Sequence, residues 1–379
     1  MAIKIIITGG GTGGHIYPGL NLAFELKNRD LRNDILFIGK KGGMEAELVP
    51  REGFKFESIS ARGIQRKFCV ENIWALVIFF ISCIQAYKIL KKYKPDVVIG
   101  TGGYVSGSVV LMASLMGIAT FIHEQNVFPG ITNRILSYHV KAIFLSFEQS
   151  QKYFKGKAEL IFTGNPIRFK EGPLNSKNKE DFQQFRLDPE KKTILVLGGS
   201  KGAASINQAV VESIKILKKD LKEYQWQVLL IAGNEDYEHC KKIAKEMEKE
   251  GMLVVEKYIY HMNRAYSLAN LVICRAGATT VAELNAFGLP AILIPYPWAT
   301  NNHQEYNARV LEKEGAAIVL LDKDLVRNKL TEELLGLIKE EKKLEIMSIN
   351  SKKLGKLDAA QKIVDFILKY INKNKPIRD

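Results

Sequence analysis

Cysteine is scarce in this chain of 379 residues: Cys69, Cys83, Cys240 and Cys274 are scattered, with no Cys-x-x-Cys pair and no His at zinc-finger spacing. That argues against a disulfide framework and a structural zinc, and it suits reduced thiols in a cytoplasm. The start, Met1 to Gly10, lacks the long apolar core and small-residue cleavage site of a signal peptide, so export is not expected. The most apolar stretch, Ile73 to Ile84, carries no charge but is 12 residues long, short of the roughly 20 that span a bilayer. Acidic residues are outnumbered: 41 Asp and Glu against 55 Lys and Arg give a formal charge of +14. Such an excess favours polyanionic partners, which include nucleic acid, an anionic bilayer and phosphorylated substrates.

The length suits two ordinary domains, and 46% hydrophobic with 25% charged residues is a globular composition. Short β-branched runs recur, each followed by a helical pattern: Ile3–Ile7, Ile35–Ile38, Val97–Ile99, Thr120–His123 and Ala142–Leu145, then Thr193–Leu197, Gln227–Ile231, Leu253–Glu256, Leu271–Ile273 and Ala291–Ile294. Continuous apolar strands alternating with helices predict buried parallel sheets, hence an α/β chain. Residues 1–165 form the expected first domain and 193–356 the second. Between them 166–192, polar and holding Pro173 and Pro189, is the expected linker, and the helical pattern within 357–379 is expected to pack back on the first domain. Two such sheets facing each other would border a cleft with their strand carboxyl ends, where open α/β folds bind ligands.

Cys274 to Glu283 carries the strongest chemical signal, because the strand Leu271–Ile273 runs there into a helix start built of small residues. Backbone N–H groups around Gly277, Ala278 and Thr279, backed by the helix dipole, can receive a phosphate. Glu283, about a turn further, can accept two hydrogen bonds from a ribose diol. An ordinary strand-helix corner with a solvated Glu283 is the alternative. Three Gly-rich loops also end strands: Gly9 to Gly19, Gly100 to Gly107 and Gly198 to Ala203. The first meets the dinucleotide fingerprint, yet the second strand ends in Gly39-Lys40-Lys41 where a nicotinamide site wants an acid. The third lacks P-loop spacing, although Ser200 could bond a phosphate oxygen. His15, where the first loop turns into its helix, could take a proton from a nucleophile, or could simply bond a neighbouring loop. His123-Glu-Gln-Asn126 and Asn302-His-Gln-Glu305 place polar clusters at strand ends that sugar hydroxyls could satisfy.

Asp322-Lys-Asp324 resembles a metal-binding Asp-x-Asp string, but it lies away from the Gly loops and suits a turn or helix cap; no metal and no cofactor are expected. The Ile73–Ile84 stretch is flanked by Arg62, Arg66 and Lys67 and by Lys88, Lys91, Lys92 and Lys94. It suits a helix lying at an anionic membrane surface or one half buried against its own sheet, and both can hold on different faces.

These pieces, in this order and over most of the chain, resemble the inverting N-acetylglucosaminyltransferases that make the lipid-linked disaccharide precursor of bacterial peptidoglycan. The carriers are Gly9 to Gly19, Met44-Glu-Ala-Glu-Leu-Val-Pro50, Gly100 to Gly107, His123 to Asn126 with Pro129-Gly-Ile-Thr-Asn133, Gly164-Asn-Pro-Ile-Arg168, Gly198 to Ala203, Cys274 to Glu283 and Asn302 to Asn307. The resemblance implies a GT-B fold of two Rossmann-like domains, and UDP-N-acetylglucosamine as donor substrate. It implies an undecaprenyl-diphospho-muramyl-pentapeptide acceptor at the cytoplasmic face of the inner membrane, with other cell-wall synthesis proteins as partners and no nucleic acid. By it, donor contacts fall on Thr12, Gly13, Gly14, Asn126, Arg168, Ser200, Ile259, Ala278, Thr279, Thr280, Val281, Ala282, Glu283 and Gln304. His15 is the implied base with Glu124 its rival, and Tyr104 stands beside them. Arg66, Lys67, Ile73, Trp74, Val77, Phe80, Ile81 and Lys88 would meet the membrane. Two departures, Ser108 where relatives often have Pro and Tyr138 where some have Lys, bear on acceptor contacts. A UDP-sugar-dependent diacylglycerol glycosyltransferase is the alternative within the same fold, and a sugar-nucleotide epimerase shares the two-domain shape.

Overall fold

A computed structural model describes residues 2–63, 70–169, 179–198, 202–325 and 328–374, without the side chains of 70–72. The chain forms two compact units, Met1–Arg168 with Asp358–Asp379, and Phe169–Leu357.

The first unit holds a parallel sheet of β1 (Lys4–Gly9), β2 (Asp34–Lys40), β3 (Lys55–Ile59), β4 (Val97–Gly102), β5 (Ala119–Glu124), β6 (Ala142–Leu145) and β7 (Glu159–Phe162), in the order β3-β2-β1-β4-β5-β6-β7. The inner strands are buried on both faces, which is why they read as unbroken apolar runs. One face is covered by the Gly13–Arg29 helix and by Ala359–Asn374, whose Ile363, Val364 and Ile367 join Ile5, Ile7, Leu22 and Phe121 in one core. On the other face Val105, Val109 and Ala113 of the Tyr104–Leu115 helix, with Ala86 and Leu90 of Val70–Tyr93, pack on Ile6, Val98 and Ile122.

The second unit holds β8 (Lys192–Leu197), β9 (Trp226–Ile231), β10 (Leu253–Glu256), β11 (Ala269–Cys274), β12 (Ala291–Leu293) and β13 (Ala317–Val319), ordered β10-β9-β8-β11-β12-β13. In both sheets the strand order reverses beside the first strand, between β1 and β4 and between β8 and β11. Such a switch point opens a crevice at the strand carboxyl ends.

The described part of the expected linker is not a free connection. Phe169 stacks edge-on against Tyr266 and Phe287, and Lys179–Gln184 is a helix whose Phe182, with Phe185 and Leu187 after it, is buried. Asp181 pairs with Arg264 at 3.2 Å. Its polar residues hide four apolar anchors, Phe169, Phe182, Phe185 and Leu187, too few for a helical periodicity to be visible.

Helix Val70–Tyr93 extends beyond the apolar stretch seen in sequence. Ala75, Ser82, Ala86 and Leu90 form its buried stripe, and Ser82 Oγ lies 2.6 Å from Ser108 Oγ on the neighbouring helix. Small residues at this seam let two helices approach closely. The large ones, Ile73, Trp74, Leu76, Val77, Phe80, Ile81 and Ile84, face outward and are all exposed. By length and composition Ile73–Tyr93 could cross a bilayer. Its buried stripe belongs to the core of the first unit.

Candidate functional site

In the first unit the loops after β1 and β4 meet at the switch point. Gly10 donates its N–H to Gly102 O at 3.3 Å, and Thr101 Oγ1 donates to His15 O at 2.7 Å. The approach demands glycine: a Cβ on Gly103, whose φ is +84°, would stand 2.4 Å from Gly10 O. His15 lies in the first turn of Gly13–Arg29, against the backbone of Gly102. Its Nδ1 is 3.1 Å from Gly10 O. A carbonyl can only accept, so Nδ1 carries the proton and Nε2 the basic lone pair. Thr12, Gly13 and Gly14 belong to the same turn, and half-exposed Tyr104 opens the helix after β4. Arg168 lays its guanidinium over the Tyr17 ring at 4.9 Å.

The end of β5 is a buried polar network. Burial pushes the His123 imidazole down to about 4, so the ring is neutral at neutral pH. Its Nε2–H donates to Gly164 O at 3.2 Å, and Nδ1 accepts from Gln125 Nε2 at 3.0 Å. The Glu124 carboxylate accepts from Asn126 N at 2.9 Å, Asn126 Nδ2 at 3.3 Å, Gly130 N at 3.1 Å and Asn133 Nδ2 at 2.8 Å. Burial raises its pKa while these donors pull it down. Both oxygens are thus engaged in holding the 125–133 loop, which makes Glu124 a scaffold for Asn126 and a poor candidate to collect a substrate proton.

In the second unit β11 delivers Cys274 into Arg275, Ala276 and Gly277, the N-cap of the helix Ala278–Phe287. No side chain caps that helix and its first turn holds no acid, so backbone donors of Ala278, Thr279 and Thr280 stand at its positive end. Thr279 Oγ1 is buried with no hydrogen-bond partner among the described residues. Glu283 is 5% exposed, and its Oε2 accepts from Tyr266 OH at 3.0 Å, so the carboxylate is held and not solvated. Val281 and Ala282 continue the same helix. Ile259, buried in the loop after β10, sits between exposed Tyr258 and Tyr260, whose rings meet edge-on at 4.9 Å. Gln304 Oε1 accepts from Tyr296 N at 2.9 Å, which ties helix His303–Lys313 to the loop after β12.

Arg275 was not singled out in the sequence, yet it joins four segments of this rim. It donates to Ile294 O and Pro295 O at 3.2 Å, to Ser205 Oγ at 3.0 Å and to Asp322 Oδ1, and it lies over the Tyr296 ring. Asp324 Oδ2 caps Leu321 N at 3.0 Å. Asp322 and Asp324 are therefore structural, and no cluster of three or more metal-ligating side chains occurs among the described residues. Ser200, Arg66 and Lys67 lie outside the described residues. The remaining candidates fall into two groups: Thr12, Gly13, Gly14, His15, Tyr104, Glu124, Asn126 and Arg168 in the first unit, and Ile259, Ala278 to Glu283 and Gln304 in the second.

Residues 5–145 match the model of the glycosyltransferase family 28 N-terminal domain, and 193–363 that of the family 28 C-terminal domain. A protein of Acetivibrio thermocellus named UDP-N-acetylglucosamine–N-acetylmuramyl-(pentapeptide) pyrophosphoryl-undecaprenol N-acetylglucosamine transferase is 44% identical, over 98% of this chain and 99% of its own. The crystal structure of MurG of Acinetobacter baumannii superposes with a TM-score of 0.78 at 26% identity, covering 97% of this chain and 99% of that one. MnaA of S. aureus, solved with UDP, shares the fold at a TM-score of 0.69 and 14% identity, with 99% of each chain covered.

Proposed function

The chain belongs to glycosyltransferase family 28, and from that membership we propose that it moves N-acetylglucosamine from UDP-N-acetylglucosamine to the muramyl 4-hydroxyl of undecaprenyl-diphospho-muramyl-pentapeptide. It is a hexosyltransferase of peptidoglycan synthesis with a GT-B fold. The observation that carries the donor assignment is the start of the Ala278–Phe287 helix, where uncapped amides and a buried Thr279 hydroxyl lie one turn from a buried carboxylate. Amides and hydroxyl suit the diphosphate, and Glu283 suits the ribose diol. Ile259 beside Tyr258 and Tyr260 offers an apolar wall for the uracil.

The remaining steps follow from the residues of the first unit. His15 Nε2 takes the proton of the muramyl 4-hydroxyl as that oxygen attacks the anomeric carbon, and the bond to UDP breaks on the opposite side. The configuration inverts to a β-1,4 bond without a covalent intermediate. Leaving-group charge is met by the helix amides, so no resident metal is required. The outward apolar face of Val70–Tyr93 docks peripherally on the cytoplasmic leaflet, where the acceptor lies, with Lys88, Lys91 and Lys92 on lipid phosphates.

The test is transfer of label from UDP-N-acetylglucosamine to the lipid-linked acceptor in excess EDTA. A β-1,4 product formed at an undiminished rate is expected. Donor binding without transfer would overturn the acceptor assignment, and loss of turnover in EDTA would overturn metal independence.

A further inference from the structure

We infer that Glu45 is a positioning residue of the reacting site, acting on His15 through the peptide group shared by Gly10 and Gly11. The inference rests on His15 being the base. Two hydrogen bonds on one peptide plane make the connection. Gly11 N–H donates to Glu45 Oε2 at 3.1 Å, and Gly10 O, across the same C–N bond, accepts from His15 Nδ1 at 3.1 Å. An amide is a resonance hybrid. A carboxylate on its N–H side therefore draws negative charge onto its oxygen and strengthens what that oxygen accepts. The imidazole gains what a directly bonded carboxylate gives a catalytic histidine: one tautomer, one orientation, and a stabilised imidazolium once Nε2 has taken the substrate proton. The Nδ1 proton stays where it is.

The surroundings are built for this carboxylate. Glu45 opens the short helix Glu45–Arg51, is 1% exposed, and accepts from Lys40 N at 2.8 Å through Oε1. Three glycines make room for it: a Cβ would come within 2.0 Å of Oε1 at Gly10, 2.4 Å of Cγ at Gly39 and 2.7 Å of Cδ at Gly43. Thr12 Oγ1 is 3.4 Å from His15 Nδ1, His123 on β5 is neutral, and Tyr104 begins the helix after β4. Arg168 lies over the ring of Tyr17, two residues further along the helix, and Lys40 gives Glu45 its backbone N–H while its side chain is exposed.

The first test uses the wild-type chain labelled with 15N-histidine. Its ring shifts should show His15 protonated at Nδ1 at neutral pH, and the Nε2–H tautomer would overturn the inference with no variant made. In Glu45→Gln the neutral amide polarises the peptide less. The His15 titration and the acidic limb of acceptor kcat/KM should both move to lower pH, and kcat should fall on the order of tenfold with donor KM unchanged. Glu45→Asp should recover part of the loss. A Glu45→Gln enzyme that loses turnover while the His15 titration and tautomer stay put would make Glu45 structural only. If His15→Ala keeps wild-type kcat, the base assignment fails, and the two NMR titrations still decide whether Glu45 and His15 are coupled.

Discussion

Glu124→Ala distinguishes a scaffold from a base. The substitution removes an acceptor shared by Asn126 N, Gly130 N and the Asn133 amide, the last of which also donates to His123 O. A buried donor left without a partner costs about 1–3 kcal/mol, so three cost about 3–9 kcal/mol if water does not enter. For a unit of 190 residues (168 and 22), each kcal/mol is worth about 2–4 °C, which puts the fall in melting temperature of the first unit at about 6 °C or more. Circular dichroism melts of the full chain, with single-turnover transfer measured well below the transition, read both effects. The expected outcome is a large drop in stability, with the loss of turnover tracking a displaced 125–133 loop. A variant that melts within 2 °C or so of wild type yet loses ~1,000-fold in kcat would refute this and return Glu124 to the role of base.

Three further outcomes are expected. His123 is held neutral with its pKa depressed to about 4, so its contribution to stability is present above the unfolded value of 6.5 and is lost as pH falls towards 4, by about 3 kcal/mol at most. A melting temperature flat across that window would contradict the burial argument. Glu283→Ala should raise donor KM by roughly 10–100-fold, as expected for lost charge-assisted hydrogen bonds, and Tyr266→Phe by less; unchanged donor affinity would remove Glu283 from the ribose. Trp74→Glu with Phe80→Glu, which alters two exposed side chains, should weaken sedimentation with anionic vesicles by at least about tenfold and leave turnover of a short-chain acceptor intact; equal sedimentation would place the membrane contact elsewhere.

The inner strands were legible because burial on both faces leaves an apolar run in the sequence. The three that went unread, β3, β7 and β13, are all edge strands. Lys55–Ile59 and Glu159–Phe162 are mostly half-buried or exposed, and Ala317–Val319 is three residues long, so none carries the signal that marked β4 or β8. Loop chemistry was legible wherever small residues follow a strand, as at Gly9, Gly100 and Gly277. The supports behind those loops were not. Arg275 and Glu45 read as ordinary charges, and only folding shows one spanning four segments and the other enclosed by glycines from three places in the chain. The Met44-Glu-Ala-Glu motif did carry the family resemblance, and three glycines within five positions at Gly39, Gly42 and Gly43 were the available hint of a close-packed acid.

The helix Ala359–Asn374 has a consequence for synthesis. It is encoded after the whole of the second unit, yet Ile363, Val364 and Ile367 wall the core of the first, and Phe366 and Tyr370 stack on Phe121. A growing chain therefore finishes the second unit while the first still shows an open apolar face, and closure waits on residues more than 200 positions away in sequence. During that interval the nascent protein exposes both this unfinished wall and the outward face of Val70–Tyr93, which makes the half-made enzyme a client for a chaperone and any shortening of the terminal helix a threat to solubility.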